Sequence, residues 1–100
     1  MRQQLEDKII ELSKKVPMGR HVLGDGYHAY ARVECDEDYT RKVVTITRGR
    51  HVLCSVACGK ILVLYEQFGK ASATLLDIAC ALIGFMPHKI KKIPWQSNGF

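Results

Sequence analysis

The sequence predicts an α+β fold, in which an antiparallel meander of about five strands is flanked by an N-terminal helix and a C-terminal helix. Apolar residues recur at helical spacing near both ends, and the middle of the chain alternates or is rich in β-branched side chains. The 100 residues are 47% apolar and 25% charged, as expected for one folded domain rather than a disordered chain. We therefore expect a single domain over residues 1–86 and a basic C-terminal tail over residues 87–100.

The N-terminal helix is predicted over residues 2–16. Its apolar side chains are spaced three or four residues apart: Leu5, Ile9, Leu12 and Val16. This spacing places them on one face of a helix. Pro17 and Gly19 then end the pattern.

Turn signals divide the middle of the chain into five strands. Asp25-Gly26 predicts a two-residue hairpin turn, because both turn positions require a positive φ. Residues 27–35 alternate strictly, and residues 40–48 are rich in β-branched side chains. A three-residue loop at 48–50 and a turn at Cys58-Gly59 then delimit strands over 51–57 and 60–66. A helix over 52–68 is the alternative, because short apolar runs are ambiguous.

The C-terminal helix is predicted to run to about Met86, with Ser72 or Thr74 as its cap and Pro87 as its end. Residues 75–86 are apolar nearly all round, so we expect this helix to be buried on more than one side. We place it on the sheet face that carries Ala29 and Ala31, where small side chains leave room for a helix.

The turns together fix which side chains share a face, because a slip of one residue moves a whole strand to the other face. One predicted face is the core, and it consists of Tyr27, Ala29, Ala31, Val33, Cys35, Val44, Ile46, Val52, Cys54, Val56, Ile61, Val63 and Tyr65. The opposite face is predicted to hold Leu53 and Leu64 side by side, next to Tyr30.

The segment "GRHVL" occurs at residues 19–23 and again at 49–53. The sequences that follow the two copies diverge, whereas a true repeat carries similarity through the whole unit. We interpret the copies as two strand starts, with a doubled motif as the alternative.

The face opposite the core is the candidate site. Its predicted interface residues are His21, His28, Tyr30, Arg32, His51, Leu53, Leu62 and Leu64. This mixture is too apolar for a solvated face and too polar for a core, and it suits the contact surface of a dimer or a protein partner. The chain is accordingly predicted to be a small, basic, non-enzymatic binding module that self-associates or docks a partner there. The alternative is that the N-terminal helix covers this face.

Nucleic-acid binding is an alternative function. The formal net charge is +5, and residues 41–60 carry five basic side chains and no acidic one. Basic residues attract phosphates and an aromatic side chain stacks on bases. The candidate contacts are Arg48, Arg50, Lys89, Lys91, Lys92 and Trp95.

A small metal-independent nuclease is a second alternative, since histidines beside Tyr30, Arg32 and Glu66 are the groups that such an enzyme uses. We expect no metal and no cofactor, because the cysteines lack the spacing of common zinc sites. The chain shows no secretion signal and no span long enough for a bilayer. These features favour reduced cysteines, no membrane association and a cytoplasmic location.

Overall fold

The structure is a computed structural model. It describes the backbone of residues 2–64 and 71–92, and the side chains of residues 2–62 and 75–85. The elements follow in this order: α1 (Arg2–Lys14), β1 (Gly19–Gly24), β2 (Tyr27–Cys35), β3 (Thr40–Arg48), β4 (His51–Ala57), β5 (Lys60–Leu64) and α2 (Ala71–Lys92). The strands form one antiparallel sheet in the order β1-β2-β3-β4-β5. The predicted α+β meander is confirmed, and the alternative helix over 52–68 is wrong.

Two of the predicted turns are confirmed by their backbone angles. Asp25 and Gly26 have φ values of 53° and 82°, as a two-residue hairpin turn requires. Cys58 and Gly59 have φ values of 53° and 70° and join β4 to β5. Between β3 and β4 the predicted three-residue loop is wrong, because Arg48 pairs with His51 and leaves only two residues in the turn.

The predicted pairing of β2 with β3 is confirmed along its length, from Cys35 opposite Thr40 to Ala29 opposite Ile46. Ala29 and Ile46 are buried, at 1% and 0% exposure. The predicted core face is therefore confirmed at Ala29, Ala31, Val44 and Ile46. It is wrong at Val33, which is 49% exposed, and at Cys35, which is also exposed.

Three β-bulges shift the outer strands. They insert Leu23 in β1, Leu53 in β4 and Leu62 in β5 as extra residues opposite the neighbouring strand. A bulge places two consecutive residues opposite one partner and restarts the alternation beyond it. Side chains before and after each bulge therefore occupy different faces from those that an unbroken alternation predicts.

Both helices pack on the same face of the sheet. The core between them and the sheet contains Ile9, Leu12, Val16, Tyr27, Ala29, Ala31, Val44, Ile46, Leu53, Cys54, Val56, Leu75, Ile78, Ala79, Leu82 and Phe85. The placement of α2 against Ala29 and Ala31 is confirmed. The alternative in which the N-terminal helix covers the opposite face is wrong, because the apolar stripe of α1 belongs to this core.

Helix α2 departs from its prediction in two respects. Leu76 and Ile83 are 50% and 46% exposed, so within residues 75–85 the helix is buried along one side rather than on several. The helix also begins at Ala71 and continues to Lys92, past its predicted end at Pro87. A proline inside a helix lacks the N–H that bonds to the carbonyl four residues earlier, here that of Ile83. Neither helix of the described residues has the length and apolar character needed to cross a membrane.

Candidate functional site: the outer sheet face

We use the term outer face for the side of the sheet opposite the core. The strand registers place the following described side chains there: Arg20, Val22, His28, Tyr30, Arg32, Glu34, Arg41, Val43, Thr45, Thr47, Val52, Ser55, Ala57, Lys60 and Leu62. Helices α1 and α2 lie on the other side. No described helix covers the outer face. Val43 and Ala57 on this face are nevertheless buried, at 2% and 3% exposure, whereas Val22, Tyr30, Val52 and Leu62 are exposed.

The bulge in β4 removes Leu53 from this face. Leu53 and its neighbour Cys54 both lie opposite Ile46, and Leu53 is only 2% exposed. Val52, predicted for the core, instead pairs with Thr47 and is 38% exposed. The placement of Leu53 in the interface is therefore wrong, because the bulge turns it into the core.

The bulge in β1 moves His21 from the outer face to the core side. Arg20 pairs with Tyr30 in place of the predicted His21, so the two residues exchange faces. The His21 ring lies 5.3 Å from the Phe85 ring of α2, centroid to centroid, and its Nε2 is 2.6 Å from the Pro17 carbonyl oxygen. This histidine thus serves the packing of α2 against β1 rather than the outer face.

The third predicted histidine, His51, does not lie where the sequence places it, because the β3–β4 turn is one residue shorter than predicted. His51 pairs with Arg48, whose guanidinium lies 5.1 Å from the centre of the Tyr27 ring on the core side. His28 keeps its predicted place and is exposed, with Nδ1 3.2 Å from the Gly26 carbonyl oxygen. The predicted cluster of histidines therefore does not form.

The two leucines of β5 are separated. Leu62 is 42% exposed and lies in the bulge opposite Ser55, on the outer face as predicted. Leu64 pairs with Cys54 of the core face rather than with Leu53, so the predicted pair of leucines is wrong.

Tyr30 forms the centre of the surface that remains. It is 36% exposed, and the guanidinium carbons of Arg20 and Arg32 lie 4.8 Å and 5.8 Å from its ring centre. A cation at this distance is attracted to the ring face. The stacking holds two arginines in place beside an aromatic side chain, which is the residue combination that dominates protein-protein contact energies.

Glu34 links two of the arginines. Its Oε2 accepts a hydrogen bond of 2.8 Å from Arg32, and its Oε1 accepts two from Arg41, at 3.0 Å and 3.2 Å. The hydrogen bonds from Arg41, followed by the one from Arg32, hold the pKa of Glu34 below its usual value in spite of partial desolvation. Glu34 therefore remains ionised and fixes both guanidinium groups at neutral pH.

Hydroxyl groups extend this network across the sheet. Arg32 donates a hydrogen bond of 3.1 Å to the Thr45 hydroxyl, which is 3.4 Å from the Ser55 hydroxyl. The network spans β2, β3 and β4, so the polar groups of the outer face are pre-organised by one another. Such pre-organisation lowers the entropy lost when a partner binds.

The outer face is positively charged. By register its described side chains include four basic ones, Arg20, Arg32, Arg41 and Lys60, against the single carboxylate of Glu34. Sequence reasoning missed Arg20, Arg41 and Lys60 as members of this face. Arg20 was not predicted because the bulge at Leu23 was not foreseen, and this bulge determines whether Arg20 or His21 lies on the outer face.

Of the residues predicted to bind nucleic acid, the structure describes the side chains of Arg48 and Arg50. Arg48 stacks on Tyr27 at the core side, and Arg50 lies in the exposed β3–β4 turn. Lys89, Lys91 and Lys92 belong to α2, but their side chains lie outside the described residues, as does all of Trp95.

The geometry gives little support to a nuclease. His21, His28 and His51 do not converge on one face of the sheet, and Glu66 lies outside the described residues. Within the described part of the chain, no three His, Cys, Asp or Glu side chains are grouped so as to hold a metal. The four cysteines are free thiols.

The chain was compared with models of protein families, with curated proteins and with solved structures, and none of the three comparisons gave a match. By its own fold and site, the chain is a five-stranded antiparallel meander with both helices on one side of the sheet and a basic, aromatic outer face on the other.

Proposed function

We propose that this chain is a non-enzymatic binding module whose outer face docks an acidic segment of a protein partner. The observation that carries the proposal is Tyr30 between Arg20 and Arg32, on a sheet face that no described helix covers. The same face carries exposed apolar side chains, Val22 at 71% on the adjacent strand β1 and Leu62 at 42% on β5. Arginine, tyrosine and apolar groups together are typical of the core of protein interfaces.

Charge favours a different protein as the partner over a second copy. A twofold dimer places the same patch against itself, so the arginines of the two copies would face each other. Like charges across an interface cost free energy, whereas an acidic segment is complementary to them. The loss of Leu53 from the outer face also removes the apolar contact that self-association required.

Two contacts favour protein over nucleic acid. The ring of Tyr30 already has Arg20 at 4.8 Å, which competes with the stacking of a base. Glu34, near the end of β2, places a negative charge between Arg32 and Arg41, which weakens the attraction of these two arginines for phosphates. An acidic peptide with apolar side chains can avoid Glu34 and contact the surrounding arginines and valines.

The proposal is tested by titrating the chain with three probes: a synthetic peptide of alternating Glu and Leu, single-stranded RNA, and duplex DNA of equal charge. We expect the peptide to bind best. Tyr30→Ala should weaken peptide binding about tenfold, as truncation of a central interface residue does. Arg20→Gln should also weaken it, whereas Arg50→Gln, which removes an equal charge in the turn, should not.

The remaining outcomes each assign a different function. Tighter binding of RNA or DNA, weakened as much by Arg50→Gln as by Arg20→Gln, would establish nucleic-acid binding. A dimer in light scattering that Tyr30→Ala dissociates would establish self-association. Binding of none of the probes together with a monomeric chain would refute the proposal.

A further inference from the structure

Strand β1 forms one edge of the sheet. Among the described strands it pairs with β2 alone. The backbone hydrogen bonds that the described residues make outside helices and strands involve none of Gly19–Gly24. An edge strand of this kind presents unpaired N–H and C=O groups to any further strand.

Two hydrogen bonds show which residues of β2 bond to β1 and which to β3. Residues of an antiparallel pair alternate between hydrogen-bonded and non-hydrogen-bonded positions. At one end of β2, Asp36 donates to the Tyr39 carbonyl oxygen at 2.8 Å. At the other end, Gly49 donates to the Gly26 carbonyl oxygen at 3.3 Å. Both pairs continue the β2–β3 register, so even-numbered residues of β2 bond to β3 and odd-numbered ones bond to β1.

The backbone groups of Arg20 and Val22 therefore point to the open edge. Both residues pair with even-numbered residues of β2, whose own backbone groups are directed to β3. Gly19 and His21 pair with odd-numbered residues and bond to them. The open edge thus offers one N–H and one C=O at Arg20 and another of each at Val22.

The side chains of the same two residues lie on the outer face. Arg20 is exposed, with its guanidinium carbon 4.8 Å from the centre of the Tyr30 ring. Val22, at 71%, is the most exposed of the described large apolar side chains. A strand paired with β1 would place one side chain directly opposite Arg20, with about 5 Å between Cβ atoms, and another opposite Val22.

Charge identifies the strand that this edge accepts. A second copy of β1 would bring its own Arg20 to the same face, and like charges on adjacent strands are destabilising. A carboxylate opposite Arg20 would instead accept hydrogen bonds from a guanidinium that has five donors. An apolar residue two positions away in the same segment would cover Val22.

We propose that an acidic segment of a partner protein adds to β1 as a further, antiparallel strand. This inference rests on the proposed function, since it assigns a conformation and a position to the acidic segment that the outer face docks. Backbone hydrogen bonds at Arg20 and Val22 supply affinity, and the acidic and apolar side chains opposite them supply specificity. The antiparallel direction is the more stable of the two.

The test uses a short peptide of repeated Thr-Leu-Thr-Glu units and two N-methylated forms of it. When Leu and Glu lie opposite Val22 and Arg20, their amides point at β1 and the amides of Thr point away. One form is methylated on every Leu and Glu and the other on every Thr, so both carry the same number of methyl groups. Calorimetry should find binding at least about tenfold weaker for the first form and unchanged for the second, because only the first loses hydrogen bonds to β1.

Amide hydrogen exchange measured by NMR locates the added strand. In the free chain, the amides of Arg20 and Val22 should exchange faster than those of Gly19 and His21, which bond to β2. Addition of the unmodified peptide should slow exchange at Arg20 and Val22.

A pair of variants at one position separates backbone pairing from side-chain contact. Val22→Pro removes an N–H that faces the open edge, a place where a strand tolerates proline. Val22→Ala keeps that N–H and removes most of the apolar side chain. Val22→Pro should weaken peptide binding at least about tenfold and Val22→Ala by a smaller factor. Circular dichroism checks that both variants fold, and the methylated peptides decide the question if Val22→Pro does not.

The outcomes separate this inference from the proposed function. If the peptide methylated on Leu and Glu binds as tightly as the unmodified one, strand addition is overturned. Weaker binding to Arg20→Gln and Tyr30→Ala would in that case leave the proposed function standing. If no form of the peptide binds, the proposed function is refuted as well.

Exchange in the free chain tests two other occupants of the edge. Slow exchange at Arg20 and Val22 in dilute solution would show that another part of this chain covers β1. Exchange that slows as the chain is concentrated would show that a second copy does. Either result overturns the inference.

Discussion

Replacing Leu53 with alanine tests the bulge on which the composition of the outer face depends. Leu53 is 2% exposed and lies in the core with Cys54, opposite Ile46. Removing a buried leucine side chain destabilises a domain by about 2–5 kcal/mol, because transfer free energy is lost and a cavity remains. A domain of this length is stable by about 5–15 kcal/mol in total. Leu53→Ala should therefore remove a large part of the free energy of unfolding.

The matched control is Val52→Ala on the adjacent residue. Val52 is 38% exposed on the outer face, so its replacement should cost less than about 1 kcal/mol, mostly in strand propensity. Urea unfolding followed by circular dichroism gives both values. In thermal unfolding, each 1 kcal/mol corresponds to about 4–8 °C in a domain of this size. We therefore expect the melting temperature to fall by about 8–40 °C for Leu53→Ala and by less than about 8 °C for Val52→Ala.

The reversed result would refute the bulge. Without it, Val52 lies in the core and Leu53 on the outer face, so Val52→Ala would become the more destabilising change. The outer face would then regain an exposed leucine beside Thr45, and self-association would again be the better proposal. The comparison of two adjacent residues thus decides the register and the expected partner together.

Three further predictions concern single residues. Burial raises the pKa of the Cys54 thiol to about 12, so iodoacetamide should modify only the three exposed cysteines of the native chain, and all four after unfolding, as mass spectrometry would show. Because the pKa of Glu34 is lowered in the folded chain, its ionised carboxylate stabilises the fold above the unfolded pKa, near 4.5, and this stabilisation is lost as the pH falls through the folded pKa. Urea unfolding should therefore find Glu34→Gln less stable than the native chain at neutral pH, and the two equally stable in acid. Gly26 has a φ of 82°, so Gly26→Ala should destabilise the chain by about 1 kcal/mol in the same assay. Gly84 lies inside α2 with open space at the Cβ position, so Gly84→Ala should stabilise the chain by about 0.5–1 kcal/mol.

The elements that the sequence predicted well are those with a local physical cause. Asp25-Gly26 and Cys58-Gly59 adopt positive φ values, and the turns they form are where the sequence places them. The pairing of β2 with β3 follows from strict alternation on one strand and β-branched residues on the other. These features are enough to predict the meander and the core position of Ala29 without knowledge of any contact between the layers.

The bulges could not be placed in the same way, because an extra residue in a strand depends on packing against the layer beneath it. The two copies of "GRHVL" nevertheless share a feature that indicates a bulge. Each ends in adjacent valine and leucine, which breaks strict alternation, and in each the leucine is the inserted residue. Val22 and Val52 are exposed, while Leu53 is buried and Leu23 partly buried against the core. Two neighbouring apolar residues close to a hairpin turn are therefore a signal that a bulge should be considered.

The bulges also determine the chemistry of the candidate site. An unbroken alternation gives an outer face with three histidines and paired leucines, which favours a dimer or an acid-base site. The bulges at Leu23 and Leu53 exchange His21 for Arg20 and Leu53 for Val52. Arg20 then reaches the ring of Tyr30, where Arg32 already lies on the same strand as the ring. A one-residue shift at the edge of the sheet thus replaces an apolar contact surface by a basic one, and with it the expected partner changes from a second copy to an acidic chain.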